Sequence, residues 1–225
     1  MKDTDVRSIS LATELCGLHL KNPLIAASGT FGFGREYDEL YDITCWGAIS
    51  VKGLTLEPRG GNPPRRIFEA SAGILNSVGL QNPGVRGFLE DELDWINGHD
   101  VANIVNLGGH SIEDYIEGVS LLNDAKLDLL ELNISCPNVK QGGMNFGVRT
   151  ETAREVVRIL RRECRHKLVV KLSPNAEDIV AFARACEEEG ADGLSLTNTY
   201  LALAVDIDRR RPVFENVYAG LSGPA

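Results

Sequence analysis

Hydrophobic residues fall into six short apolar runs: Leu24-Ile25-Ala26-Ala27, Ala48-Ile49-Ser50-Val51, Ile104-Val105-Asn106-Leu107, Leu127-Asp128-Leu129-Leu130-Glu131-Leu132, Leu168-Val169-Val170-Lys171-Leu172 and Gly193-Leu194-Ser195-Leu196-Thr197. Such compact, largely apolar runs predict strands buried on both faces, as in a parallel sheet. The intervening stretches carry apolar residues at helical spacing. A helix is predicted from about Arg35 to Ile43, and further helical faces at Val85, Phe88, Leu89, Leu93 and Ile96, at Ile112, Tyr115, Ile116, Val119 and Leu122, at Val156, Val157, Ile159 and Leu160, and at Ile179, Val180, Phe182, Ala183 and Cys186. Ser111, with Asp114 three residues on, is placed to cap the third of these faces. Ahead of the first run, Ile9–Thr13 and Cys16–Leu20 alternate and predict a short hairpin. Residues 54–82 break the rhythm. They are rich in Pro and Gly, and a connection of that length is usually functional or disordered; Ile74 to Gly84 is too apolar for a disordered linker.

Unbroken alternation of strand and helix predicts parallel βα units with right-handed crossovers. Open sheets and barrels share that pattern, and the polar residues separate them. Ser28, Lys52, Asn106, Asn133, Lys171 and Asn198 stand at the C-terminal ends of six successive strands. A barrel gathers those ends round one mouth, whereas an open sheet spreads them along an edge. The expected fold is therefore a (β/α)8 TIM barrel with an N-terminal β-hairpin, forming one domain over residues 1–225. A complete barrel takes about 250 residues, so about six of eight units are expected here and the C-terminal portion is expected to be missing.

Composition narrows the function. A net charge of −9 over 225 residues opposes nucleic-acid binding, which rewards a basic surface. Arg209-Arg210-Arg211 reads as a solvated loop. The five cysteines are scattered without metal or redox spacing, which fits a reducing cytoplasm. No apolar stretch approaches membrane-spanning length, and no leader pattern follows Met1. The four histidines share no spacing, so no metal is expected.

Candidate chemistry centres on Asn133-Ile134-Ser135-Cys136-Pro137-Asn138, just past the fourth strand and before the glycine-bearing loop 139–143. A buried cysteine is often only a small apolar filler, but a filler needs neither bracketing asparagines nor a glycine loop. Asn76, Asn133, Asn138 and Asn198 each offer a donor and an acceptor, the mixture wanted by a ring that alternates N–H and C=O. Lys52 and Lys171, at strand ends, suit a substrate carboxylate and an electron-rich cofactor. No G-x-G-x-x-G opens a helix, so a nicotinamide site within this chain is not expected.

Ser50-Val51-Lys52-Gly53, Asn76-Ser77-Val78-Gly79-Leu80-Gln81-Asn82-Pro83-Gly84, the Asn133–Asn138 stretch and Leu196-Thr197-Asn198-Thr199 together resemble class 1 dihydroorotate dehydrogenases, over essentially the whole chain. The Asn76–Gly84 wording and the Cys-Pro-Asn-Val-Lys-Gln-Gly-Gly loop look most like class 1B. The resemblance implies an FMN-bearing barrel, one FMN per chain, that oxidises dihydroorotate to orotate in pyrimidine synthesis. It makes Cys136 the base taking the C5 proton while hydride leaves C6 for flavin N5. It assigns Lys52, Asn76, Ser77, Val78, Gly79, Leu80, Asn133, Asn138, Asn198 and Thr199 to the substrate. It assigns Ser28, Lys52, Gly53, Asn106, Asn133, Lys171, Thr197 and Gly223 to the cofactor. It also implies a homodimer and an iron–sulfur flavoprotein subunit through which an iron–sulfur cluster and NAD take part.

Two other readings stay open on the residues alone. One is a barrel lyase or aldolase using Lys52 or Lys171 as a Schiff-base nucleophile. The other is a six-unit barrel that cannot hold FMN. Phosphate sites in barrels are frequently built from the loops after strands seven and eight, so weak FMN binding by the chain alone is expected.

Overall fold

The computed structural model describes residues 9–134 and 149–224. Strands β1 (Thr13–Leu15) and β2 (Leu18–Leu20) form an antiparallel hairpin. Its turn is Cys16-Gly17, with φ of 54° and 84°, a positive-φ pair that matches the twist of the flanking strands. That turn fixes the register, so the first strand begins at Thr13 rather than covering Ile9–Thr13. Next come β3 (Ile25–Ala26), α1 (Arg35–Asp38) and β4 (Ala48–Ser50). The helix expected to reach Ile43 stops early. Asp42 instead accepts a bond from the Thr44 backbone N–H at 2.9 Å and opens a separate 3-10 turn, Ile43–Cys45.

The excursion after β4 holds a second hairpin, β5 (Ile67–Ala70) and β6 (Gly73–Asn76), followed by α2 (Gly84–Asp91) and α3 (Leu93–Asn97). The barrel rhythm then resumes with β7 (Ala102–Leu107), α4 (Ile112–Leu122), β8 (Leu129–Asn133), α5 (Thr150–Glu163), β9 (Leu168–Lys171), α6 (Ile179–Glu188) and β10 (Gly193–Ser195). Ser111 caps α4 as expected: its hydroxyl accepts from the Asp114 N–H at 3.1 Å, and the Asp114 carboxylate accepts from the Ser111 N–H at 3.3 Å. Four further strands follow: β11 (Tyr200–Leu203), β12 (Val205–Asp206), β13 (Arg211–Pro212) and β14 (Tyr218–Ser222). Arg209 and Arg210 lie in the exposed turn between β12 and β13.

Six strands pair in parallel in the order β3-β4-β7-β8-β9-β10. Alternate residues serve two cores. Ile49, Val105, Leu107, Leu130, Leu132 and Val170 pack outward with helix residues such as Tyr115, Val157 and Phe182. Ala48, Ile104, Leu129 and Val169 pack inward on Leu20, with Leu15 and Leu18 of the hairpin beside them. The hairpin therefore plugs the N-terminal end.

One carboxylate shows how far the sheet curls. Glu131 on β8 accepts from Ser50 Oγ of β4 at 3.1 Å and from Ser195 Oγ of β10 at 2.7 Å. Strands four spacings apart in a flat sheet lie about 19 Å from each other. Two short hydroxyls reach one carboxylate only because the sheet wraps round it, which makes this a part-barrel, six strands of the (β/α) barrel type.

A second sheet, antiparallel in the order β11-β14-β6-β5, joins the two excursions, with Asn76 opposite Gly220 and Leu75 opposite Leu221. Leu75, Phe214 and Ala219 form its small core.

Helices α5 and α6 are clamped by Glu189, which receives Arg158 at 2.7 and 2.8 Å and Arg154 at 3.1 Å. Arg158, helped by Arg154, pulls the Glu189 carboxyl down from 4.5 to about 2. A depressed acid stabilises the fold above its unfolded pKa, and that contribution fades as pH falls from 4.5 toward about 2. Glu189→Gln is therefore expected to lower the melting temperature at pH 7 and to converge with the unaltered protein near the bottom of that window. A pH series of thermal melts checks it, and an equal deficit at both ends would contradict it.

Candidate active site at the barrel mouth

The mouth is assembled from the C-terminal ends of the parallel strands. Lys52 follows β4, and its backbone N–H donates to Gly32 O at 2.9 Å. Gly29, after β3, lies so close that a Cβ there would stand 4.0 Å from Lys52 Nζ. Ser28 is half-buried and donates to Val51 O at 2.7 Å, tying the β3 end to the β4 end. Burial pushes the Lys52 ammonium below the ordinary lysine range, and the positive charge of Lys171 pushes it further the same way. Lys171 ends β9 opposite Asn133 of β8 and Ser195 of β10. Two cations thus share one half-buried mouth.

Beside Lys52 the backbone of Gly53 comes against Asn106. A Cβ at Gly53 would stand 2.7 Å from Asn106 Oδ1, so no side chain fits there. Asn106 is fully buried. Its Nδ2 donates to Glu131 Oε2, while its Oδ1 is the one buried side-chain polar atom without a partner among the described residues. A smooth glycine floor, an unmet acceptor and two cations fit a flat ring that carries an N–H and takes up negative charge on reduction. FMN has those properties, and the residues present fit its ring.

Asn133 and Asn198 meet at the other side of the mouth, where Asn198 Nδ2 donates to Asn133 Oδ1 at 3.3 Å. The Asn133 carbonyl accepts from the buried Tyr115 hydroxyl at 2.8 Å, and Asn198 N–H donates to Leu172 O at 3.0 Å. Thr197 is exposed just past β10. Thr199 Oγ1 would lie 2.2 Å from a Cβ at Gly220, and Asn76 Nδ2 donates to Gly220 O at 3.3 Å. The antiparallel sheet thereby carries Asn76 to the same side as Thr199.

Ser77, Val78, Gly79 and Leu80 continue from β6 toward Gly53, with Leu80 Cδ2 3.9 Å from the Cβ position of Gly53. Asn62 braces this loop. Its side chain donates to Ser77 O and Oγ, both at 3.1 Å, and its backbone N–H to Val78 O at 2.9 Å. Gly79 and Leu80 have φ of 79° and 53°. Asn82 locks the far side: its Oδ1 accepts from Thr55 N and Gly84 N, and its Nδ2 donates to Thr55 Oγ1 and Leu80 O.

Gly223 is not drawn into this group. It sits at the outer end of the antiparallel sheet, where a Cβ would lie 2.4 Å from Ala72 O. Cys136 and Asn138 fall outside the described residues. Asn62, Asn82 and Glu131 hold the site without having been singled out as site residues from the sequence. For Glu131 the available signal was an acidic residue inside a buried strand, which demands partners.

The depressed Lys52 ammonium has a thermodynamic consequence. Below its folded pKa the charge costs stability, and the cost is relieved as pH rises toward 10.5, because the unfolded chain then holds the extra protons. Lys52→Met is expected to raise the melting temperature of the ligand-free protein at pH 7 while weakening binding of an anionic or electron-rich ligand. A lower melting temperature together with unchanged binding would contradict the placement.

A part-barrel whose mouth gathers two cations, paired amides and an unmet acceptor belongs to the class of barrel enzymes that bind a planar polar ring. The chain is a member of the dihydroorotate dehydrogenase family, whose family model matches residues 10–225. It is similar to proteins named dihydroorotate dehydrogenase B (NAD(+)), catalytic subunit. That of Petrotoga mobilis is 51% identical over 216 residues, covering 96% of this chain and 72% of the relative. That of Thermoanaerobacter pseudethanolicus is 50% identical over 217 residues with the same coverage, and that of Geobacillus kaustophilus 49% identical over 216 residues, covering 96% and 69%.

Proposed function

We propose that the chain is the catalytic subunit of an NAD(+)-type dihydroorotate dehydrogenase and oxidises dihydroorotate to orotate in pyrimidine biosynthesis. The observation that carries this is the convergence of Lys52, Gly53, Asn106, Asn133, Lys171 and Asn198 at one mouth in a chain of this family. FMN, when bound, supplies the two-electron acceptor for the hydride removed from substrate.

The chain's own residues do the rest. Gly53 leaves room for a ring to lie flat, and Asn106 Oδ1 accepts from it. Ser28 and Thr197 border it. Lys52 and Lys171 stabilise negative charge gathered on the ring. Asn76, Asn133, Asn138 and Asn198 hold the pyrimidine edge, with Ser77, Val78 and Thr199 beside them. Gly79 and Leu80, consecutive residues of positive φ, offer backbone N–H groups to the carboxylate. Cys136 takes the proton from the substrate carbon. A thiol pKa of about 8.5 leaves most of it protonated at neutral pH, so turnover should rise with pH toward that value.

The apolar side chains of Ile67, Ile74, Leu201, Leu203 and Tyr218 are exposed on the antiparallel sheet. They support contact with protein partners: a second copy in a homodimer and an iron–sulfur flavoprotein subunit passing electrons to NAD. Among the described residues no helix is long and apolar enough to cross a membrane, and a cytoplasmic location is part of the proposal. The depressed amine of Lys52 is the one feature shared with a Schiff-base lyase, and family membership favours the dehydrogenase.

Anaerobic addition of dihydroorotate to the flavin-loaded protein tests the reading. Bleaching of the visible flavin absorption with formation of orotate is expected. A protein that holds flavin yet leaves both unchanged would overturn it.

A further inference from the structure

Glu131 sits in the middle of β8 among Leu129, Leu130 and Leu132 and is only 5% exposed. A carboxylate is costly there unless it is fully hydrogen-bonded. Its bonds come from three other strands: Ser50 Oγ at 3.1 Å, Ser195 Oγ at 2.7 Å, and Asn106 Nδ2. The third matters most. Glu131 Oε2 can only accept, so it takes the amino end of the Asn106 amide. An amide has two unlike ends, and fixing one fixes the other. Asn106 Oδ1 is thereby turned away from Glu131, beside Gly53, buried and without a partner among the described residues. A buried acceptor left in that state is unfavourable until a donor arrives.

We propose that Glu131 is a positioning residue: it sets the orientation of the Asn106 amide, and so makes the mouth demand an N–H from the ring that binds there. The inference rests on the FMN reading given above. The oxidised flavin ring carries a single N–H, between two carbonyls, and this is the group that a fixed Asn106 Oδ1 selects. Without the carboxylate the amide is free to turn, and its amino group then opposes the ring N–H, donor against donor. A buried glutamate could instead serve only to tie β4, β7, β8 and β10 together, and the two roles differ in what restores binding.

The test is a titration of protein into FMN at fixed concentration, read by flavin fluorescence, with melting temperatures of the ligand-free proteins recorded alongside. Glu131→Gln keeps the volume but can present an amino group to Asn106. Its FMN affinity is expected to fall about 10- to 100-fold. The double variant Glu131→Gln with Asn106→Asp moves the carboxylate from β8 to β7. One of its oxygens there receives the amino group of the glutamine introduced on β8, and the second turns to the ring. Affinity is therefore expected to return to within a few-fold of the unaltered protein. A mere strand tie would make affinity follow the melting temperature of the ligand-free proteins, whereas amide orientation makes affinity fall and return while the melting temperature stays put. Unchanged affinity in Glu131→Gln beside measurable binding by the unaltered protein overturns the role of Glu131, as does a double variant that binds no better than the single one. Absence of FMN binding by the unaltered protein overturns the flavin reading itself.

Discussion

Replacing Cys136 with alanine is expected to cut dihydroorotate oxidation by about 10²–10⁴-fold, the usual contribution of a general base, while flavin stays bound. The argument starts from β8. The strand delivers Asn133 to the mouth, opposite Lys171 and bonded to Asn198, and Cys136 follows three residues later in the sequence. The contacts described at Lys52, Gly53 and Asn106 are made without the thiol, so ring binding should survive its loss. Cys136→Ser should keep part of the activity only at raised pH, because a hydroxyl is a far weaker acid than a thiol. Steady-state rates across a pH series, with flavin content measured on each sample, make the comparison. Near-normal turnover by the alanine variant at neutral pH would remove Cys136 from the mechanism.

The second large effect is expected at the paired amides. Asn133→Ala and Asn198→Ala should each lower kcat/KM by about 1–3 kcal/mol of transition-state binding, with little change in melting temperature. The Asn133 backbone is secured without its amide, and at Asn198 the amide's one backbone bond, accepted from the Thr199 N–H at 2.8 Å, adds to a main chain already held. Asn133 lies within the β8–β9 ladder and accepts the Tyr115 hydroxyl through its main-chain carbonyl, and the Asn198 N–H is bonded to Leu172 O. Because the two amides touch at 3.3 Å, removing both should cost less than the sum of the single losses. Strict additivity would show that they act on separate parts of the substrate. Unfolding of both variants, with full activity in whatever remains folded, would make them structural.

The parallel strands were legible because each is a compact apolar run whose meaning does not depend on a distant partner. Ala48–Val51 and Leu168–Leu172 announce themselves, and the Ser111–Asp114 cap is a local pattern too. The six polar strand ends pointed to a barrel mouth for the same reason. Other features were hidden for want of non-local information. Strand β6 pairs with β14, and Leu75 finds its core only with Phe214 and Ala219; neither segment declares a strand on its own. Residues 200–222 carried no expected element at all. Glu131 was lost among leucines, since the three strands that satisfy it are remote in sequence. The break at Asp42 turns on its side chain accepting from both the backbone N–H and the hydroxyl of Thr44, which helical spacing cannot foresee.

The pairing of Asn76 with Gly220 spans 144 residues. At a synthesis rate of about 5–20 residues per second, β6 leaves the ribosome roughly 7–30 s before the strand that completes its sheet. The βα units between them close through neighbouring contacts and gain order during that interval. The β5–β6 hairpin waits with Ile67, Ile74 and Leu75 bare and one strand edge open, an invitation to mispairing in a crowded cell. Completion of the antiparallel sheet is therefore paced by this long-range pairing, and the nascent hairpin is the segment a chaperone would have most reason to hold.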